Sequence, residues 1–358
     1  MGGARTRPLT ELRREDAAEF GGKSTGLGEL LAAGIPVPPG FALGARAFRA
    51  FVAEAGLEGT IAAALRRASS GAVASLDAAS KTIGEAMRFA PLPEAVRDEL
   101  RRRYDELVRA AGEEQPPVAV RSSALGEDSH EATHAGQQET FLWVRGFEAI
   151  CDAVRDCWVS LYTPRAIGYR AEVGAEQADL AMGVTVQRMV DAAVSGVLFT
   201  CNPVSGDPSM VAVNASWGLG LAVVGGETTP DDYLVSKVTG EVVRQKVNAK
   251  ELEYVPDAAG RGTVRVEVPA ERRDRPCLGE AELAALVEVA KRVEHHFNSH
   301  QDIEWALARG RSLPEAVLVL QTRPVTTRPR PATVSASAMS LVMATFGAPP
   351  PDAGQPEP

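Results

Sequence analysis

Two short stretches in the last third of the chain set chemistry-bearing side chains two residues apart. In HQDIEWAL (residues 300–307), Asp302 and Glu304 alternate with Ile303 and Trp305, so on a strand the two carboxylates share one face. In VLVLQTRPV (317–325) a solidly apolar run gives way to Gln321 and Arg323, again two apart and again on one face. Paired carboxylates on a strand repel unless a cation neutralises them, which is the chemistry of a Mg²⁺ site. A solvated face is the other reading of the same residues. If the two strands pair antiparallel, the four side chains lie together. They would then offer carboxylate and amide oxygens to a metal beside a guanidinium for a phosphate.

Two further cations stand in unusual settings. Arg121, in VAVRSSALGEDS (118–129), ends a short buried-strand signal and precedes two hydroxyls, which suits either a structural ion pair or an anion clamp. Lys23 stands in FGGKSTGLGEL (20–30), whose middle looks like the end of a phosphate-binding P-loop. That motif needs a glycine five residues before Gly22, where Ala17 stands, and an apolar strand in front, where residues 11–19 are charged and polar. Lys23 is therefore a lysine in a glycine-rich turn that opens a helix running to about Ala33. Gly136, Gln137 and Gln138, in HAGQQETFLWV (134–144), form a polar run ahead of an apolar strand, and alone read as a turn.

The elements that must position these residues follow from hydrophobic period. From Leu30 to about Ala111 the pattern is helical. Strands are expected at 118–120, 140–144, 183–190, 194–200, 210–214, 233–237 and 241–247. A long helix is expected over 280–296, then strands at 302–307 and 316–322. The fold class is α+β (mixed α/β), with an N-terminal lobe over 1–182, a second lobe over 183–327 and a tail over 328–358. The tail is Pro-rich and expected to be disordered, apart from an apolar island at 338–346 that either packs back or meets a partner.

Composition excludes several classes. The 358 residues carry a net charge of -9, which argues against a nucleic-acid partner, since neutralising phosphates takes clustered Lys and Arg. No apolar run approaches a membrane span and no signal-peptide pattern opens the chain. The cysteines at 151, 157, 201 and 277 lack the paired spacing of a zinc site and are too few for a disulfide scaffold. Free thiols in a reducing cytoplasm are expected.

Five motifs in series carry a resemblance: GGKSTGLGELLAAGIPVPPGFAL (21–43), VAVRSSALGEDSHEATHAGQQETFL (118–142), VTVQRMVDAAVSGVLFTCNPVSGDP (184–208), WGLGLAVVGGETTPDDYLVSK (217–237), and DIEWAL with LQTRPVT (302–307, 320–326). Over about residues 10–327 the chain resembles the ATP-binding domain of the phosphoenolpyruvate synthase and pyruvate phosphate dikinase family, which includes rifampicin phosphotransferase and phenylphosphate synthase. The resemblance implies an ATP-grasp-type, two-lobed nucleotide-binding module. It implies that Lys23, Arg121 and Arg323 bind the ATP phosphates, that Glu304 and Gln321 hold Mg²⁺, and that Asp302 is a weaker metal candidate. Gln187, Arg188, Met189 and Val190 would be the hinge that receives adenine. Glu227 would lie near the ribose or the phosphate path, and the loop with Thr133, Gly136, Gln137 and Gln138 would cover the phosphates. Ser24-Thr25-Gly26 and Leu125-Gly126 depart from the family's usual Asn-Ala-Ser and Thr-Ala types.

Family members work through a phosphohistidine on a swivelling domain, in a glycine-rich segment ending in Ser-His. The five histidines here, at 130, 134, 295, 296 and 300, do not match that segment; Ser129-His130 sits inside the ATP-domain loop motif. The resemblance thus implies a stand-alone ATP-binding half, organised most like the ATP-binding subunit of phenylphosphate synthase. Its partner would be a histidine-bearing subunit that serves a small-molecule acceptor such as a phenol, enol or alcohol. The alternatives are the ATP-binding part of a single-chain phosphoenolpyruvate synthase or rifampicin phosphotransferase, and a nucleotide-sensing protein without turnover.

Overall fold

The computed structural model describes residues 4–68, 72–125, 139–172, 180–260 and 262–325. It is a mixed α+β protein whose chain divides into two compact units, Met1–Met189 with Pro256–Thr263, and Val190–Val255 with Val264–Pro358.

The first unit carries strands β1 (Thr6–Pro8), β2 (Gly40–Leu43), β3 (Val118–Ala124), β4 (Thr140–Val144) and β5 (Met182–Arg188) in the order β1-β2-β5-β3-β4, every pair antiparallel. Alternation gives this sheet two faces. One presents Phe41, Leu43, Val118, Val120, Val184 and Val186 to a core shared with helices α3 (Ala45–Glu54), α4 (Glu58–Ala68), α5 (Val73–Phe89), α6 (Glu94–Ala111) and α7 (Phe147–Val159). At its centre Trp158 is fully buried, stacked on Phe51 at 5.2 Å and edge-on to Phe48 at 5.7 Å. Residues 40–43 fall inside the stretch expected to be helical, and they form β2 instead. The prolines at 36, 38 and 39 end the helix before them, and the short run Phe41-Ala42-Leu43 then has room only for a strand. Residues 183–188, expected in the second lobe, pair with β2 and β3, so the division falls after Met189.

In the second unit, β6 (Ala192–Phe199), β7 (Met210–Trp217), β8 (Asp231–Ser236), β9 (Val242–Lys246), β12 (Gln301–Ala308) and β13 (Val317–Pro324) form an antiparallel sheet in the order β13-β12-β6-β7-β8-β9. Helix α11 (Glu280–Phe297) lies against β12 and buries Leu283, Leu286, Val287, Ala290 and Val293. Trp305 is fully buried beside Gly196. A β-carbon at Gly196 would stand 1.8 Å from the Asn214 carbonyl oxygen and 3.1 Å from the indole, so only glycine fits. A two-stranded ribbon, β10 (Leu252–Pro256) and β11 (Thr263–Glu267), was not foreseen from sequence.

The second unit also holds an ion pair sealed from water. Lys250 Nζ donates to Asp231 Oδ1 at 2.6 Å with neither side chain exposed. Asp231 also accepts from the Asn248 and Cys277 amides and the Tyr233 hydroxyl. Its four donors tie β8 to the segments at 248–250 and 277. Among the described residues no helix is long and apolar enough to cross a membrane. The four cysteines are free and buried. The tail over 328–358, with its apolar island, lies outside the described residues.

Candidate functional site

The glycine-rich turn around Lys23 is built by close approach. Gly21 has φ +78°, and a β-carbon there would stand 2.3 Å from the Ser123 carbonyl oxygen. With no side chain in the way, helix α2 (Gly22–Ala32) starts flat against β3 and β5. The Ser24 amide donates to Ser123 Oγ at 3.2 Å, and the Ser24 and Thr185 hydroxyls lie 2.7 Å apart. Lys23, in the first turn, is buried and donates from Nζ to the Ser122 carbonyl at 3.2 Å. This brings the ammonium to the β3 backbone one residue past Arg121. Arg121 does not end its strand, as the sequence suggested. β3 continues to Ala124 because both following serines find hydrogen-bond partners, Ser122 with the Glu139 backbone and Ser123 with the buried Ser24 amide. Arg121 is therefore fixed in mid-sheet, opposite Thr185.

The expected hinge residues lie at the end of β5 and just past it. Gln187 is buried with Nε2 on the Pro38 carbonyl at 3.4 Å. The Arg188 amide donates to Pro39 and the Met189 amide to Pro117, and Val190 is the first residue of the second unit. Thr133, Gly136, Gln137 and Gln138 lie outside the described residues, as do His130 and His134.

In the second unit the two quoted strands do pair antiparallel. Asp302 lies opposite Arg323 and Glu304 opposite Gln321, so all four occupy one face. Arg323 Nε donates to Asp302 Oδ2 at 2.8 Å. Asp302 Oδ1 is buried and has no hydrogen-bond partner among the described residues. Burial, with the like charge of Glu304 as a lesser cause, outweighs the Arg323 guanidinium and pushes the Asp302 carboxyl up to about 6. Across the ladder from Glu304 the face continues through Val197 to Asn214 on β7.

Glu227 follows helix α9 (Leu221–Val224) and is held from the ribbon. Tyr254 donates its hydroxyl to Oε1 at 2.8 Å, and Arg265 Nε stands 3.7 Å from Oε2. Sequence reading missed both partners, because nothing in the period of residues 248–267 marked a ribbon.

The donor set fits a Mg²⁺ ion. Among the described residues no group of three or more His, Cys, Asp or Glu could cage a metal. Mg²⁺ rarely uses such a cage in nucleotide enzymes, taking one or two carboxylates and leaving the rest to water and phosphate. The Glu304 carboxylate and the Gln321 amide, facing each other across one ladder, meet that description. Lys23 and Arg121 belong to the first unit, and Asp302, Glu304, Gln321 and Arg323 to the second.

Comparison with known proteins bears on what these residues serve. The family described as "Pyruvate phosphate dikinase, AMP/ATP-binding domain" matches residues 17–341. The chain is 39% identical over 336 residues to the probable phosphoenolpyruvate synthase of Staphylothermus marinus, covering 88% of this chain and 40% of that protein. It is 40% identical over 317 residues to the probable phosphoenolpyruvate synthase of Methanothermobacter thermautotrophicus, covering 88% and 45%. It is 38% identical over 342 residues to the phosphoenolpyruvate synthase of Aeropyrum pernix, covering 89% and 42%. The chain thus spans less than half the length of these relatives. With nearly its whole described length inside the match, the chain belongs to the pyruvate phosphate dikinase AMP/ATP-binding domain family.

Proposed function

We propose that this chain is the ATP-binding component of a dikinase-type phosphotransferase, an ATP-grasp-type module that uses Mg-ATP to phosphorylate a histidine on a separate swivelling-domain subunit. ATP gives AMP and phosphate: the γ-phosphate goes to water and the β-phosphate to the histidine, which passes it to a small-molecule acceptor. The observation that carries this reading is the pairing of Glu304 with Gln321 next to Asp302 with Arg323 on one sheet face.

In this reading Lys23, Arg121 and Arg323 bind phosphate oxygens. A charge-assisted bond to a transferring phosphate strengthens as charge spreads over its oxygens, and phosphoryl transfer gains most of its rate from such stabilisation. Glu304 and Gln321 hold Mg²⁺, whose charge offsets that of the phosphates. Gln187 to Val190 receive the adenine, Glu227 faces the ribose or phosphate path, and the loop with Thr133, Gly136, Gln137 and Gln138 covers the phosphates. Among the described residues His300 is engaged with Glu294 at 2.6 Å, which does not suit a carrier that must swing between sites.

A second reading is favoured by the coverage of the relatives: the same module works within one long chain that supplies its own histidine domain. Product analysis tests the shared claim. With a histidine domain added, ATP should be converted to AMP and phosphate. Formation of ADP as the only nucleotide product would refute dikinase chemistry, and binding without turnover would favour a nucleotide sensor.

A further inference from the structure

We propose that Asp302 is a positioning residue that sets the Arg323 guanidinium for a nucleotide phosphate, and that it is not a ligand of the Mg²⁺ site. This rests on the reading of Arg323 as a phosphate-binding residue and assigns a different task to its neighbour.

Three observations carry it. The two residues are direct partners across the β12–β13 ladder, so their backbones fix the approach of the side chains. The bond runs from Nε to Oδ2 at 2.8 Å. Nε is the guanidinium donor nearest the chain, and a bond there fixes the plane of the group. A carboxylate that existed to neutralise the arginine would instead favour the fork itself in a bidentate pair. Finally, the exposure is graded: the Asp302 side chain is 3% exposed and that of Arg323 is 27%. The anchor is the more deeply buried of the two, and the guanidinium is partly exposed, with its Nη2 nitrogen buried.

The same burial argues against metal ligation by Asp302. One oxygen is taken by Arg323 and the other is buried, whereas Mg²⁺ dehydrates reluctantly and keeps several waters beside its protein ligands. Glu304, paired with Gln321 and half-buried, has the more accessible carboxylate. A buried ion pair gives little net stability compared with apolar side chains of the same size. Its benefit here is a fixed direction for the guanidinium.

The test separates the roles by removing the metal. ATP affinity is measured by calorimetry in EDTA, then as a function of added Mg²⁺, for the wild-type chain, Asp302→Ala, Asp302→Asn, Arg323→Ala and the double variant Asp302→Ala/Arg323→Ala. A positioning role predicts that Asp302→Ala weakens Mg-free ATP binding about tenfold. It predicts a smaller loss for Asp302→Asn, whose amide oxygen still accepts from Nε, and no further loss when Asp302→Ala is added to Arg323→Ala. The Mg²⁺ midpoint stays where the wild type has it. Metal ligation predicts the reverse: unchanged or tighter Mg-free binding, and a Mg²⁺ midpoint raised about tenfold in both Asp302 variants. That result would overturn the inference, and Asp302→Asn alone decides it if the alanine variant does not fold. If Arg323→Ala itself leaves ATP affinity unchanged, the nucleotide reading of Arg323 fails and this inference with it. If Arg323→Ala weakens binding but neither Asp302 variant does, only the positioning role is lost.

Discussion

Glu304 lies directly across the β12–β13 ladder from Gln321, one step along from Asp302 opposite Arg323. A carboxylate and an amide placed so close offer two hard oxygens to one small cation. Glu304→Ala should therefore abolish the Mg²⁺ dependence of ATP binding, while Gln321→Ala, which removes a neutral ligand, should raise the Mg²⁺ midpoint less. Calorimetric titrations at graded Mg²⁺ measure both. A Glu304→Ala chain that still responds to Mg²⁺ as the wild type does would remove this pair as the metal site.

Lys23 is buried in the first turn of α2, where its ammonium donates to the Ser122 carbonyl. A phosphate within reach of that ammonium would accept a charge-assisted bond. Charge-assisted bonds contribute roughly 1.5–3 kcal/mol, so Lys23→Ala should weaken ATP binding by about 10- to 100-fold while circular dichroism stays unchanged. Unchanged affinity would show that the lysine only props β3.

The sealed pair of Asp231 and Lys250 has a purely structural prediction. Removing one partner strands a charge in the interior, so Lys250→Ala should cost about 3–5 kcal/mol in urea unfolding. Tyr233→Phe, which deletes one of the four donors to Asp231, should cost nearer 1 kcal/mol. Equal losses in the two variants would mean that the charge is not what matters there.

The thiols should be quiet in the folded chain. Burial pushes the Cys151 thiol up to about 11 and raises those of Cys157, Cys201 and Cys277. Raised values mean that the neutral thiol persists as pH climbs, and at pH 8 only about a thousandth of Cys151 is thiolate. Alkylation at pH 8 should be slow in the native state and rapid in urea. Equal rates would contradict the buried, protonated state.

Much of this was legible in the sequence, for a physical reason. Asp302 and Glu304 alternate with apolar residues, Gln321 and Arg323 stand two apart at the end of an apolar run, and a period of two survives in any register that buries Ile303 and Trp305. The long amphipathic helix α11 announced itself by its apolar stripe. Short or polar elements did not. β2 has four residues, too few to display a period between helices, and in the β10–β11 ribbon burial does not alternate: β10 opens on two buried residues and β11 is partly exposed throughout. The depth of Arg121 within β3 was hidden because Ser122 and Ser123 read as loop, while tertiary partners satisfy their hydroxyls. The Tyr254 hold on Glu227 joins residues far apart in sequence, and no local pattern could have shown it.

The central claim is that this chain delivers the β-phosphate of ATP to a histidine carried elsewhere. The direct measurement incubates the chain and Mg²⁺ with ATP labelled with ³²P at either the β or the γ position, in the presence of a domain bearing the glycine-rich Ser-His segment. The account predicts that β-label appears on that domain in acid-labile form and that γ-label is released as free phosphate. β-Label lodging on this chain, and lost in His130→Ala, would contradict it.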